Sequence, residues 1–161
     1  MIISDENSNP ILIDNIHIPI DFNHFWVLNL EIKDFKLQEL KIFEEYTCPV
    51  LILKIFNYAI EIPSNWNILI FSPETHQLDI ACAYELCKGD FSPFLFNVKT
   101  NKIEYQIASV IEYMPKSLIR SPSFNKNEMV CLHVGPIHWI CASPVDTYNK
   151  YLKNCTVGDI M

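Results

Sequence analysis

Residues 128–142 read EMVCLHVGPIHWICA, and this stretch decides the fold class. Two apolar runs, 128–134 and 137–142, flank the turn-forming pair Gly135-Pro136, which is the pattern of a β-hairpin. Successive side chains of a strand point to opposite faces, so one face of this hairpin is expected to carry an apolar stripe that packs into the core.

Similar short runs rich in Ile, Val, Phe and Tyr occur along the rest of the chain, separated by Pro, Asn and Ser. The further candidate strands are 11–13 with 16–20, 25–33, 50–56, 58–62, 67–72, 77–83, 93–98 and 103–112. About ten short strands are too many for a small open sheet. We therefore predict a mainly β protein, built as a two-layer sandwich or a partly open barrel.

Two segments have helical patterns. In residues 36–46, the apolar side chains of Leu37, Leu40 and Phe43 recur at a spacing near three, which predicts a short amphipathic helix. A β-strand at Leu40–Ile42 is the alternative interpretation of this segment. Ser143-Pro144 followed by Asp146 resembles the start of a capped helix, predicted over 144–154.

The length of 161 residues suits one domain with a single core. Residues 1–9 are polar and acidic and are expected to be flexible, leaving 10–161 as one mainly β domain. No secretory signal or long apolar span is seen, so we expect a soluble protein of the cytoplasm.

Composition argues against several classes of function. The net charge is −7, with 12 basic and 19 acidic residues, which disfavours binding to nucleic acid or to an anionic membrane. The three glycines of the chain cannot form a phosphate-binding loop of either common type. Binding of nucleic acid by an OB-like fold would need a basic stripe in the most basic region of the chain, which contains Lys99, Lys102, Lys116, Arg120 and Lys126.

Six cysteines without a secretory signal favour free thiols in a reducing compartment. The chain is rich in Ile, Asn and Lys and poor in Gly, Ala and Arg, which indicates an AT-rich genome. This bias fits a viral or phage protein, in which case the virion is an alternative location.

The hairpin contains one candidate reactive site, formed by Cys131, His133 and His138. If the hairpin loop has two or four residues, His133 lies opposite His138, and Cys131 shares their face. Such a trio is a candidate catalytic thiol–imidazole site or a candidate metal site for zinc or iron. Sequence does not place a carboxylate beside either imidazole, although Asp146 and Asp159 are candidates. A three-residue loop would instead move His138 to the face of Val134.

Two functions are weighed. The first is a non-enzymatic assembly or protein-interaction module with no cofactor, because low charge and apolar strands leave surface for a partner or for self-association. Within this class, the composition favours a viral or phage structural or accessory protein. The alternative is a small Cys/His-based or metal-dependent enzyme that uses Cys131, His133 and His138.

Overall fold

A computed structural model describes residues 1–13, 22–144 and 149–160. The protein is mainly β, as predicted: 60% of it is strand and 6% is helical. The strands of the described residues are β1 (Ile2–Ser4), β2 (Pro10–Leu12), β3 (His24–Asn29), β4 (Asp34–Glu39), β5 (Phe43–Ile55), β6 (Tyr58–Pro63), β7 (Asn67–Phe71), β8 (Leu78–Cys82), β9 (Asp90–Phe91), β10 (Leu95–Asn97), β11 (Lys102–Glu104), β12 (Ala108–Pro122), β13 (Glu128–Val134) and β14 (His138–Ser143).

The strands form two sheets. The larger sheet, called sheet A, has β13 and β14 at its centre and runs in the order β11-β10-β14-β13-β1-β2. Strand β3 also pairs with β13 and carries β4, while β7 pairs with β14 and carries β8, so the sheet branches and curls into a half-barrel. The smaller sheet, called sheet B, has the order β6-β5-β12-β9.

Among the described residues, the two larger apolar cores lie on opposite faces of sheet A, and a third, smaller cluster of Cys48, Val50 and Ile119 lies on sheet B. The first core lies between the sheets and joins Leu51, Leu53 and Ile55 of β5 to residues of β13 such as Val130 and Leu132. The second core lies inside the curl of sheet A. Every residue of β13 and β14 is buried, because the hairpin separates these two cores.

Four aromatic rings in the second core join separate strand pairs. Trp139 of β14 lies 5.8 Å from Trp26, 5.3 Å from Phe35 and 5.6 Å from Phe96, measured between ring centroids. The rings of Phe35 and Phe96 are 4.6 Å apart. Offset and tilted rings at these distances attract each other, so the cluster holds the β3–β4 and β10–β11 hairpins against β14.

The predicted helix over 36–46 is wrong. Residues Asp34–Glu39 are strand β4, whose residues all pair with β3, and β5 begins at Phe43. The apolar spacing near three was outweighed by the tertiary context, because β3 supplies backbone partners along the whole strand. The predicted strand 25–33 also ends early, at Asn29, whose side chain accepts hydrogen bonds from the backbone N–H groups of Glu31 and Ile32.

Both chain ends differ from expectation in part. The segment expected to be flexible, 1–9, contains β1, where Ile3 is fully buried and pairs with Leu132. Of the helix predicted over 144–154, the described residues contain one α-helical turn, Asn149–Leu152, and its start at 145–148 lies outside the described residues. The predicted strand 16–20 also lies outside them.

Candidate functional site

The hairpin of β13 and β14 closes with a three-residue loop, Gly135 to Ile137, which places Val134 opposite His138. The expected pairing of His133 with His138 is therefore wrong, and the one-residue shift named as the alternative is found. His133 pairs with Trp139, and Cys131 pairs with Cys141. A shift of one residue sends every side chain of β14 to the other face.

The shift separates the three candidate residues. Cys131 lies in the second core, beside Trp139 and Cys141, and His133 contacts Trp139 from the same face. His138 lies on the opposite face, where its ring is 4.9 Å from that of Phe56. The structure thus brings Cys131 and His133 to one side of the sheet and His138 to the other.

Burial determines the chemistry of the first two residues. Cys131 is fully buried, and burial together with the neighbouring Cys141 thiol raises its pKa well above the ordinary value, which disfavours a reactive thiolate. Burial lowers the pKa of His133. The indole N–H of Trp139 donates to His133 Nε2 at 3.3 Å, so this imidazole is neutral with its proton on Nδ1.

His138 does have a carboxylate partner, but it is neither of the two expected. Its Nε2 donates to Glu104 Oε2 at 2.7 Å, while Asn97 Nδ2 donates to Glu104 Oε1 at 2.7 Å. Both hydrogen bonds lower the pKa of Glu104, and the bond from Asn97 has the larger effect. Asp159 instead accepts from the backbone N–H of Thr156 at 2.7 Å, and Asp146 lies outside the described residues.

Sequence reasoning missed Glu104 because its position depends on strand order. Asn97 pairs with Lys102 on one side and with His138 on the other, so β10 lies between β11 and β14. This arrangement brings together residues 34 positions apart in the chain. Within the described parts of the chain, no group of three or more His, Cys, Asp and Glu side chains is arranged to hold a metal ion.

The shifted register depends on Gly135. Its φ is +62°, and a Cβ added there would lie 2.5 Å from the ring of Tyr58. We expect Gly135→Ala to lower the free energy of unfolding by about 1 to 2 kcal/mol, chiefly through the left-handed backbone. Urea unfolding would measure this loss. In the Tyr58→Ala background, Gly135→Ala should lower the free energy of unfolding by less, because the ring that a Cβ would meet is absent. If Gly135→Ala left the free energy of unfolding unchanged, the positive φ at this position would be contradicted.

The second candidate surface is a long ribbon formed by β5 and β12. Its strands pair from Ala108 with Ile55 to Pro122 with Phe43, with bulges near Ile111 and Pro115. Near its far end, Arg120 forms an ion pair with Glu45 at 3.1 Å. The ribbon also borders a cavity of about 220 Å³ that Met1 and Leu12 help to line.

One edge of the ribbon is open. Strand β9 pairs with β12 only at Ala108 and Ser109, and from Val110 onward no other described strand pairs with β12 on that side. Three large apolar side chains on this part of β12 are exposed: Ile111 by 53%, Tyr113 by 46% and Leu118 by 45%. We call residues 110–118 the open edge; it combines unpaired backbone groups with apolar surface.

The basic residues singled out in the sequence do not form one stripe along a single sheet. Lys102 belongs to β11 of sheet A, whereas Lys116 and Arg120 belong to β12 of sheet B. Lys99 follows β10, and Lys126 precedes β13.

Comparison with known proteins gives no indication of the function of this chain. No protein-family model matches the chain, and no curated protein is significantly similar to it. Within the described residues, none of the helices has the length and apolar character needed to cross a membrane. The five cysteines whose side chains are described, Cys48, Cys82, Cys131, Cys141 and Cys155, are free thiols.

Proposed function

We propose that this chain is a non-enzymatic protein-interaction module that works in an assembly, and that the open edge of β12 is its contact surface. The observation that carries the proposal is a strand edge with which no described strand pairs, combined with three exposed apolar side chains, Ile111, Tyr113 and Leu118. The ring of Tyr113 contacts that of Tyr84 at 6.3 Å between centroids, and it is still 46% exposed. The composition of the chain favours, within this proposal, a structural or accessory protein of a virus or phage that acts in the cytoplasm or the virion.

The physical argument concerns what an open edge does in water. Exposed backbone N–H and C=O groups of an edge strand can pair with a further strand, and proteins usually protect such edges with charges, proline or a covering segment. Here Lys116 and Pro115 give partial protection, but the neighbouring apolar side chains favour burial against a partner. Addition of a strand to an exposed sheet edge is a common mode of protein recognition.

Site-specific photo-crosslinking tests this proposal. The photoreactive residue benzoylphenylalanine replaces Tyr113 in the full chain, expressed in its own host, and crosslinked products are identified by mass spectrometry. The matched control replaces Tyr105, which is 55% exposed and lies outside the open edge. We expect a discrete protein adduct from position 113 and none from position 105. Absence of an adduct at 113, or the same adduct at both positions, would refute the proposed surface.

A further inference from the structure

The pairing of β13 with β14 places two cysteines directly opposite each other. The register is regular, because residues 130 to 134 pair in turn with residues 142 to 138, and Cys131 pairs with Cys141. Both side chains belong to the second core, so both thiols lie on the same face of sheet A. Burial, and then the hydrogen-bond contact with the Cys141 thiol, raise the pKa of Cys131. The two thiol groups are therefore neighbours in the core as well as in the strand register.

The backbone at this pair has the dimensions that a disulfide needs. Residues directly opposite in an antiparallel pair have Cα atoms about 4.5 to 5.5 Å apart, inside the range of about 4.4 to 6.8 Å that disulfides span. A bond between Cys131 and Cys141 therefore requires no change of strand register. In contrast, Cys48 pairs with Ser117 and Cys82 pairs with Asn67, so strand pairing brings neither of them opposite another cysteine.

We propose that Cys131 and Cys141 form a disulfide when the chain folds in an oxidising medium, and that this bond joins the two central strands of sheet A covalently. In a reducing compartment the same residues remain two thiols, which is the state of the structure. The modification site is independent of the open edge of β12, because the hairpin belongs to the other sheet.

The oxidant is a low-molecular-weight disulfide such as oxidised glutathione. The thiolate of one cysteine attacks a sulfur atom of the oxidant, whose S–S bond breaks, and one glutathione leaves as a thiolate. The thiolate of the other cysteine then attacks the protein sulfur of this mixed disulfide, and the second glutathione leaves. The protein loses two electrons and two protons, and one oxidised glutathione becomes two reduced ones.

Burial of the pair determines when the bond forms and which oxidised product the fold accepts. Cys131 and Cys141 are each 0% exposed, so the exchange takes place before the hairpin is buried or during a transient opening. A glutathione adduct or an oxygenated sulfur adds atoms to a filled core, which is destabilising. The bond between the two cysteines only removes two hydrogen atoms, so it is the oxidised form that the folded core accommodates.

Refolding in a glutathione buffer tests the proposal. The reduced full chain is unfolded in urea, diluted into a mixture of oxidised and reduced glutathione at pH 8, and trapped with iodoacetamide. Peptide mapping by mass spectrometry without reduction should show Cys131 linked to Cys141. The oxidised chain should unfold at a higher urea concentration than the reduced chain, because the crosslink restricts the unfolded state.

Single substitutions provide the controls. Cys131→Ala and Cys141→Ala should each abolish the link, whereas Cys48→Ala, which removes a buried cysteine paired with a serine, should retain it. Circular dichroism establishes that each product is folded.

A second measurement does not depend on refolding. The folded, reduced chain incubated in the same buffer should form the same bond at least about tenfold more slowly than the refolding chain, because burial protects both thiols. A folded product in which Cys131 and Cys141 stay free, or in which either is linked to a different cysteine, would overturn the proposal. Equal rates for the folded and the refolding chain would contradict oxidation limited by burial.

Discussion

Replacing Trp139 by alanine should lower the free energy of unfolding by about 3 to 5 kcal/mol, the usual cost of truncating a large buried aromatic side chain. Trp139 is 3% exposed and contacts the rings of Trp26, Phe35 and Phe96. Because these rings belong to β3, β4 and β10, the substitution leaves a cavity where three strands meet.

Urea denaturation followed by circular dichroism measures this loss. The matched variant is Trp139→Phe, which retains an aromatic ring and removes the indole N–H that donates to His133. It should cost clearly less than Trp139→Ala, since most of the packing remains. A loss below about 1 kcal/mol for Trp139→Ala would contradict the role of the aromatic cluster, because a buried tryptophan with well-packed neighbours cannot be truncated so cheaply.

Replacing Tyr46 by phenylalanine should lower the free energy of unfolding by about 2 kcal/mol at neutral pH, because a buried donor loses its partner. The indole N–H of Trp66 donates to Tyr46 Oη, and Trp66 is fully buried in the core between the sheets. The double variant Tyr46→Phe/Trp66→Phe removes donor and acceptor together. Its additional loss relative to Trp66→Phe alone should therefore be small, a non-additivity that reports the hydrogen bond.

The same pair predicts a pH dependence. Burial raises the pKa of Tyr46 to about 12, above the value of 10.0 for an exposed tyrosine. Between these values the unfolded chain has lost the phenolic proton while the folded chain retains it, so the contribution of Tyr46 to stability falls as pH rises from about 10 to about 12. The stability advantage of the wild type over Tyr46→Phe should shrink over this range.

Equilibrium unfolding at pH 8 and at pH 11 measures the shrinkage. The matched control is Tyr105→Phe, whose parent side chain is more than half exposed, and its effect should be small at both values. An advantage of the wild type that stays constant or grows towards pH 11 would contradict a half-buried, hydrogen-bonded phenol at position 46.

The candidate site shows where prediction from the sequence stops. The existence of the β13–β14 hairpin follows from its apolar runs and the Gly135-Pro136 turn. Its register does not, because loops of two, three or four residues all suit that turn, and one residue decides which histidine faces which neighbour. The apolar alternation could not settle the question either, since both faces of the hairpin are buried.

The local sequence pattern also does not predict the carboxylate beside His138 or the open edge of β12. Glu104 reaches His138 through the order β11-β10-β14, and strand order is a long-range property. Residues 103–112 were expected to form a single strand, whereas Lys102–Glu104 belongs to sheet A and Ala108–Pro122 to sheet B. The edge exists because the short β9 covers only the first residues of β12.

By itself the sequence determined the fold class. Its many short runs of β-branched and aromatic residues, separated by turn formers, favour strands, and strands bury their apolar faces by packing in layers. It also determined that one face of the 128–142 hairpin packs into the core, because the alternating apolar side chains of a strand favour burial. Only the tertiary structure decided that 34–39 is a strand, that His133 and His138 face opposite ways, and that β12 keeps an open edge. Each of these depends on which strand lies beside which, and pairing energies between distant segments leave no periodic mark in either segment alone.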